Sequence, residues 1–176
     1  AEHISTIRRT INTIWNHWLP ISGMKAADAP SFERYDENFD PATGDSSKFE
    51  RLAADLDEVA ASGRKAIVFS QWVSTLHLLA ARLSWLKPAQ YHGQIKPRDR
   101  DLVLERFRED KKQHVLLLSY GAGGVGLNLQ FSEYVFLFDR WWNPAVEDQA
   151  INRAHRIGAK GTVTVTRMLA LNTIEE

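Results

Sequence analysis

The sequence predicts an α/β domain in three layers: a mostly parallel sheet flanked by helices, preceded by an N-terminal helix and a long connector. Three observations carry that prediction. From about residue 46 onward, strand-length apolar runs alternate with stretches of helical period, the pattern of repeated right-handed crossovers. Two of the runs, Lys65 to Ser70 and His114 to Tyr120, are apolar almost throughout, as strands covered on both faces are. Finally, 176 residues with 44% hydrophobic and 25% charged content can bury a real core as one domain.

The elements follow in order. Ile4, Ile7, Ile11, Ile14, Trp15 and Trp18 recur at helical spacing, so the first stretch reads as an amphipathic helix. From Leu19 to Asp45 the period dissolves among Pro20, Gly23, Pro30, Pro41 and Gly44, which reads as a connector. Its acids, from Asp28 to Asp45, are a solvated surface and are assigned no chemistry. The expected division is therefore 1–45, helix and connector, and 46–176, the α/β domain. Ser46 or Ser47 can cap a helix carrying Phe49, Leu52, Leu56 and Val59 and ending near Gly63. Strand 65–70 leads to a helix with Leu76, Leu79 and Leu83. Strand 90–92 leads to a helix with Leu102, Leu104 and Phe107. Strand 114–120 runs into a glycine-rich turn. Strand 134–139 precedes a helix that starts at Pro144, and 162–166 closes the series. The last residues, Asn172 to Glu176, read as the capped start of one more helix. The expectation is a piece of a longer chain, truncated at its C-terminus.

Charge and composition exclude several function classes. Lys+Arg 22 against Asp+Glu 22 leaves formal net charge +0, so a polyanion must be met by a local patch. Without cysteine there is no disulfide scaffold, thiolate metal site or cysteine nucleophile. No metal site is expected. No apolar run approaches the roughly 18 residues of a membrane span and no secretory signal opens the chain, so an intracellular domain is expected.

Ligands of parallel sheets bind at the carboxyl ends of the strands, here just after Ser70, His92, Tyr120 and Asp139. After the third strand, Gly121, Gly123 and Gly126 match the G-x-G-x-x-G dinucleotide fingerprint, and Asp139 ends the next strand where a ribose-binding acid would stand. A Rossmann domain is nonetheless disfavoured. Only Leu127 to Glu133 separate the glycines from the next strand, too few for the helix that should aim at a pyrophosphate. No Gly-Lys-Ser/Thr follows, so this is not a Walker A loop either. Four glycines exceed what one turn needs, which favours a backbone nest for phosphate with Ser119 adding a hydroxyl.

Asn143-Pro144 is a strong helix opening. Gln149, Arg153 and Arg156 then sit at i, i+4 and i+7 on one face, with Ala150, Ala154 and Ile157 on a more apolar side. Two helical arginines are ordinarily solvated or ion-paired. Here no acid follows either by three or four residues, although Asp148 can pair backward. The helix also starts near the expected ligand edge, where guanidinium groups suit a transferring phosphoryl group. Of Trp141 and Trp142, at least one belongs in the core. The other is available to wedge against a partner domain or a nucleic-acid backbone. Lys96, Arg98 and Arg100 are diluted by Asp99 and Asp101.

Together these motifs resemble one family, the carboxyl-terminal RecA-like lobe of Swi/Snf-type DNA-dependent ATPases in helicase superfamily two. Lys65 to Trp72 resembles its motif IV, and His92-Gly93 through Arg100 to Phe107 the segment that follows. Leu117 to Leu129 resembles motif V, Asp139 to Pro144 its tryptophan-rich extension, and Glu147 to Gly158 motif VI. The chain departs from the pattern at Ala159, Arg140 and Gly121. The last stands where the family has lysine, and the resemblance implies one basic DNA contact fewer.

The resemblance implies ATP and Mg2+ bound mainly by an absent first lobe of the same chain. Arg153 and Arg156 would reach the γ-phosphate, with Gln149, Gly124 and Gly126 on the nucleotide side. Ser70, Gln71, Arg100, Ser119, Gly123, Asn128 and Trp142 would contact the phosphates of double-stranded DNA. The implied activity is ATP-dependent translocation on duplex, remodelling or displacing DNA-bound proteins or nucleosomes, in the nucleus of a eukaryote or the nucleoid of a bacterium. The fragment alone, with neither Walker A nor DExx signature, is not expected to hydrolyse ATP. The alternatives are an RNA or single-strand helicase lobe of the same superfamily, a Rossmann domain, and a non-catalytic binding module.

Overall fold

The computed structural model describes residues 46–122, 127, 129–139, 144–154 and 162–169. The chain divides into two compact units, Ala1–Ser46 and Ser47–Glu176, and every described element belongs to the second. The predicted N-terminal helix, the connector and the helix start at Asn172 lie outside the described residues. No described helix is long and apolar enough to cross a membrane.

Helix α1 (Ser47–Ala61) buries Phe49, Leu52, Leu56 and Val59, the stripe its period dictates. It ends on Gly63, whose φ of 71° only glycine adopts without strain. The Gly63 N–H then reaches the Ala60 carbonyl at 3.0 Å and the Arg64 N–H the Val59 carbonyl at 3.2 Å, so two orphan carbonyls of the last turn are satisfied. Strand β1 (Ala66–Ser70) follows and is buried at every position. Next come α2 (Val73–Arg82), a 3-10 turn (Ser84–Leu86) and strand β2 (Ala89–Tyr91). Then follow α3 (Pro97–Glu109), β3 (Val115–Ser119), β4 (Tyr134–Leu137), α4 (Pro144–Ala154) and β5 (Thr164–Arg167).

The five strands are all parallel in the order β2-β3-β1-β4-β5. The period of two along β1 sorts the core into two halves. Ala66 and Val68 meet the apolar stripes of α1 and α2 on one face. Ile67 and Phe69 meet Phe107 of α3 and Ala150 and Ala154 of α4 on the other. This is the three-layer α/β architecture predicted, with each strand within a residue or two of its expected place.

Helix α3 departs from expectation in what it buries. Phe107 is fully buried, but Leu102 is 48% exposed and Leu104 only partly covered. The helix lies over the edge strand β2, so its apolar stripe meets a narrow surface. Its C-terminal end is held by Lys65, whose Nζ donates to the carbonyls of Phe107, Asp110 and Gln113 (2.5, 2.8 and 2.8 Å). An ammonium there satisfies orphan carbonyls and suits the negative end of the helix.

His92, just past β2, is 5% exposed and its Nδ1 is buried without a hydrogen-bond partner. Its ring meets that of His77 edge-on at 4.9 Å. Burial, and then the neighbouring His77 and Arg100, hold its pKa below the ordinary 6.5. The unfolded chain therefore takes up a proton at a pH where the folded chain does not. The stability that neutral His92 contributes is complete above pH 6.5 and lost as pH falls through the folded value. Urea unfolding at pH 7.5 and at successively lower pH is expected to show a steeper acid loss in the wild type than in His92→Phe. Equal slopes would contradict this assignment.

Candidate functional site

The crossover from β1 leads to β2 on one side of the sheet, and that from β4 leads to β5 on the other, yet β1 and β4 are neighbours. Connections that part in this way open a crevice at the carboxyl ends of the two strands, the preferred ligand position in such sheets.

At that end of the sheet Ser70 borders the crevice, and Ser119, its register partner, ends β3 on the other side of β1. Both are buried, and their hydroxyls are used within the chain. Ser70 Oγ donates to the Asp139 carboxylate and accepts from the Trp72 N–H at 3.1 Å. Ser119 Oγ accepts from the Ala122 N–H at 3.3 Å, shaping the start of the glycine loop. Gln71 is half-buried, and its N–H donates to Asp139 Oδ2 at 3.2 Å. Arg100 is also occupied: its Nε donates to the Ile95 carbonyl at 2.8 Å and its Nη2 to the Gly93 carbonyl at 2.7 Å. The residues expected to touch a ligand directly thus include several that fold the loops around it. Gly123, Gly124, Gly126, Asn128, Trp142 and Arg156 lie outside the described residues.

A second array sits elsewhere on the lobe. Helix α4 connects two parallel strands, so it must run back from the crevice toward the opposite end of the sheet. Nine residues separate Pro144 from Arg153, about 14 Å of travel at 1.5 Å per residue. The sequence expectation put Arg153 near the strand ends because its helix starts there. The structure instead carries it down one face, in the last turn of the helix. Gln149 is exposed and Arg153 half-buried, while Ala150 and Ala154, as expected, face the core.

Among the described residues, two contacts hold this helix. At its start Glu147, 4% exposed, accepts from Arg167 Nε at 3.2 Å, tying α4 to the end of β5. The sequence offered an acid and a base with nothing to join them. At its end the Arg153 carbonyl accepts from the Leu129 N–H at 3.2 Å, and Leu129 is fully buried with Ala150 and Ala154. The chain returning from the glycine loop is therefore bonded to the helix that carries Arg153.

The residue that sequence reasoning missed is Asp139. The sequence presents it as a ribose-binding acid and as the first residue of the tryptophan-rich extension, whereas in the structure it accepts hydrogen bonds from Ser70 and Gln71 at the end of β1. The available signal was an acid closing an apolar strand beside the two serine-ended strands. The donors at both arrays suit anions. Among the described residues no three His, Asp or Glu side chains gather as metal ligands. Asp139 and Glu147, the acids engaged at the crevice and on α4, already accept hydrogen bonds.

Residues 47–158 match the model of the helicase conserved C-terminal domain. Residues 2–48 match that of a GyrI-like small molecule binding domain, over less than half of the chain, and carry no assignment. DNA repair protein RAD5B of Arabidopsis thaliana is 47% identical over 136 residues, 75% of this chain and 11% of that protein. The chain spans between 11% and 21% of the length of the first curated relatives it matches. A crystal structure of the C-terminal part of the Fun30 ATPase domain is 33% identical with TM-score 0.70, covering 74% of this chain and 43% of that one. The Sulfolobus solfataricus SWI2/SNF2 ATPase C-terminal domain is 27% identical with TM-score 0.58, covering 74% of this chain and 52% of that one.

Proposed function

The chain belongs to the helicase conserved C-terminal domain family, as the second RecA-like lobe of a Snf2-type ATPase of superfamily two, and from that premise we propose that it is one motor lobe of an ATP-dependent translocase on double-stranded DNA. The motor moves along duplex to remodel or displace protein–DNA complexes. The observation that carries this reading is that the lobe holds donors in two places, at the strand ends after β1 and β3 and in the last turn of α4, where the Leu129 N–H bonds the Arg153 carbonyl. Two polyanions, a DNA strand and a nucleotide, need two such places.

In this reading the crevice grips phosphates of one DNA strand. Gln71 offers a donor there, Gly123, Asn128 and Trp142 are assigned to the same phosphates, and Ser70, Ser119 and Arg100 hold the loops in shape. From α4, Gln149 and Arg153 meet the nucleotide, and Arg156, Gly124 and Gly126 are assigned to the same side. ATP with its Mg2+ supplies the phosphoryl transfer, and both are held mainly by the first lobe of the parent protein. Arg153 and Arg156 stabilise the charge developing on the γ-phosphate, and the fragment by itself turns over no ATP. Phosphate contacts carry no sequence information, so the motor steps along any duplex.

The test is ATP hydrolysis by the full-length parent with duplex DNA, single-stranded DNA or RNA as competing activators. Duplex is expected to activate best, with an apparent affinity that falls linearly in log salt, at a slope near −0.9 per phosphate contact. Activation by RNA or single strands alone would move the protein to another branch of the superfamily.

A further inference from the structure

The segment leaving β1 is pinned by a side chain just past the end of the neighbouring strand β4. Asp139 accepts from the hydroxyl of Ser70 and, through Oδ2, from the Gln71 N–H at 3.2 Å. Its main-chain carbonyl accepts from the Tyr120 hydroxyl at 3.4 Å. Tyr120 in turn donates its N–H to the Ser70 carbonyl at 3.2 Å and stacks on Phe69, with ring centroids 5.4 Å apart. Residues just after β1, β3 and β4 are thus joined at Asp139. A carboxylate accepting from a half-buried backbone N–H forms one of the stronger hydrogen bonds a fold makes, and losing it leaves the donor unsatisfied.

We propose that the Asp139 carboxylate is a positioning residue of the DNA grip: it sets where Gln71 stands relative to Ser119, and so governs affinity for duplex rather than nucleotide chemistry. The inference rests on the DNA-dependent reading above. Among the described residues, neither Gln149 nor Arg153 hydrogen-bonds to the carboxylate, and α4 keeps anchors of its own at Glu147 and Leu129. Weakening the clasp should therefore loosen DNA before it disturbs ATP.

The experiment uses the full-length parent as wild type, Asp139→Asn and Asp139→Ala. It reads the duplex concentration for half-maximal ATPase stimulation, the unstimulated rate and KM for ATP. The alanine variant is expected to need about tenfold more duplex, the loss of roughly one charge-assisted hydrogen bond. The asparagine variant keeps an acceptor without the charge and is expected to need about threefold more. In both, the unstimulated rate and KM for ATP stay as in wild type. Hydrogen exchange of the Gln71 amide quickens in the same order.

An unchanged half-saturation, an asparagine variant as poor as alanine, or an equal rise in KM for ATP overturns the proposal. Should the alanine variant fail to fold, the asparagine variant decides: a threefold rise supports the clasp and wild-type behaviour overturns it. A wild-type parent that duplex does not stimulate overturns the function proposed above and this inference with it. Stimulation that both variants leave untouched overturns this inference alone.

Discussion

Replacing Arg153 with alanine in the full-length parent is expected to lower the duplex-stimulated kcat by about 10³-fold or more, the usual worth of an arginine finger. The loss is chemical rather than structural. The helix is fixed by the Glu147–Arg167 ion pair at its start and by buried Ala150 and Ala154 along its inner face. The bond from Leu129 uses the Arg153 main-chain carbonyl, which the substitution leaves in place. Alanine is also the best helix former, so α4 loses no propensity. Arg153→Lys keeps the charge but not the planar fork and is expected to recover little of the rate. A fall of less than tenfold, with normal DNA binding, would remove Arg153 from the reaction.

The second large effect is on stability. Phe69 is fully buried in β1, the central strand of the sheet, and its ring stacks on Tyr120. It packs in the half of the core that also holds Tyr91, Phe107, Leu118 and Leu137. Phe69→Ala is expected to cost about 3–5 kcal/mol, from lost transfer energy and the cavity left behind. A domain of this kind has about 5–15 kcal/mol in all, so the variant is close to unfolding at physiological temperature. Leu102→Ala removes a smaller apolar side chain from a 48% exposed site on α3 and is expected to change stability by about 0.5 kcal/mol or less. Urea unfolding of the two variants side by side checks both values. Similar losses would mean that the core is not where the structure puts it.

Particular residues explain how much of this was legible in the sequence. Strands β1 and β3 are buried throughout and apolar up to their final serines because helices cover both faces, so their runs could not be mistaken for half-exposed strands. Gly63 marked the end of α1 because only glycine fits its left-handed turn. Leu102 misled because spacing gives the face of a helix but not the width of the surface beneath it. The same holds for Arg153: spacing put Gln149 and Arg153 on one face, but the direction of the crossover carries Arg153 away from the strand ends.

Burial of Ser70 and Ser119 was not legible either. A serine closing a strand reads as available to a ligand until its neighbours are known. Asp139 shows the reason most clearly. It lies 69 residues from Ser70 in sequence, and only the parallel pairing of β1 with β4 brings the two together. The Glu147–Arg167 pair depends likewise on β4 pairing with β5. Composition and period report what each segment can bury. They do not report which polar side chains the sheet will set against each other.

The most direct measurement is steady-state ATP hydrolysis by the full-length parent with and without duplex DNA, for the wild type and Arg153→Ala in parallel. The account predicts strong stimulation by duplex in the wild type and collapse of that stimulated rate in the variant, with duplex still bound. No hydrolysis by the wild type under either condition would contradict it and leave a lobe that binds without driving a motor.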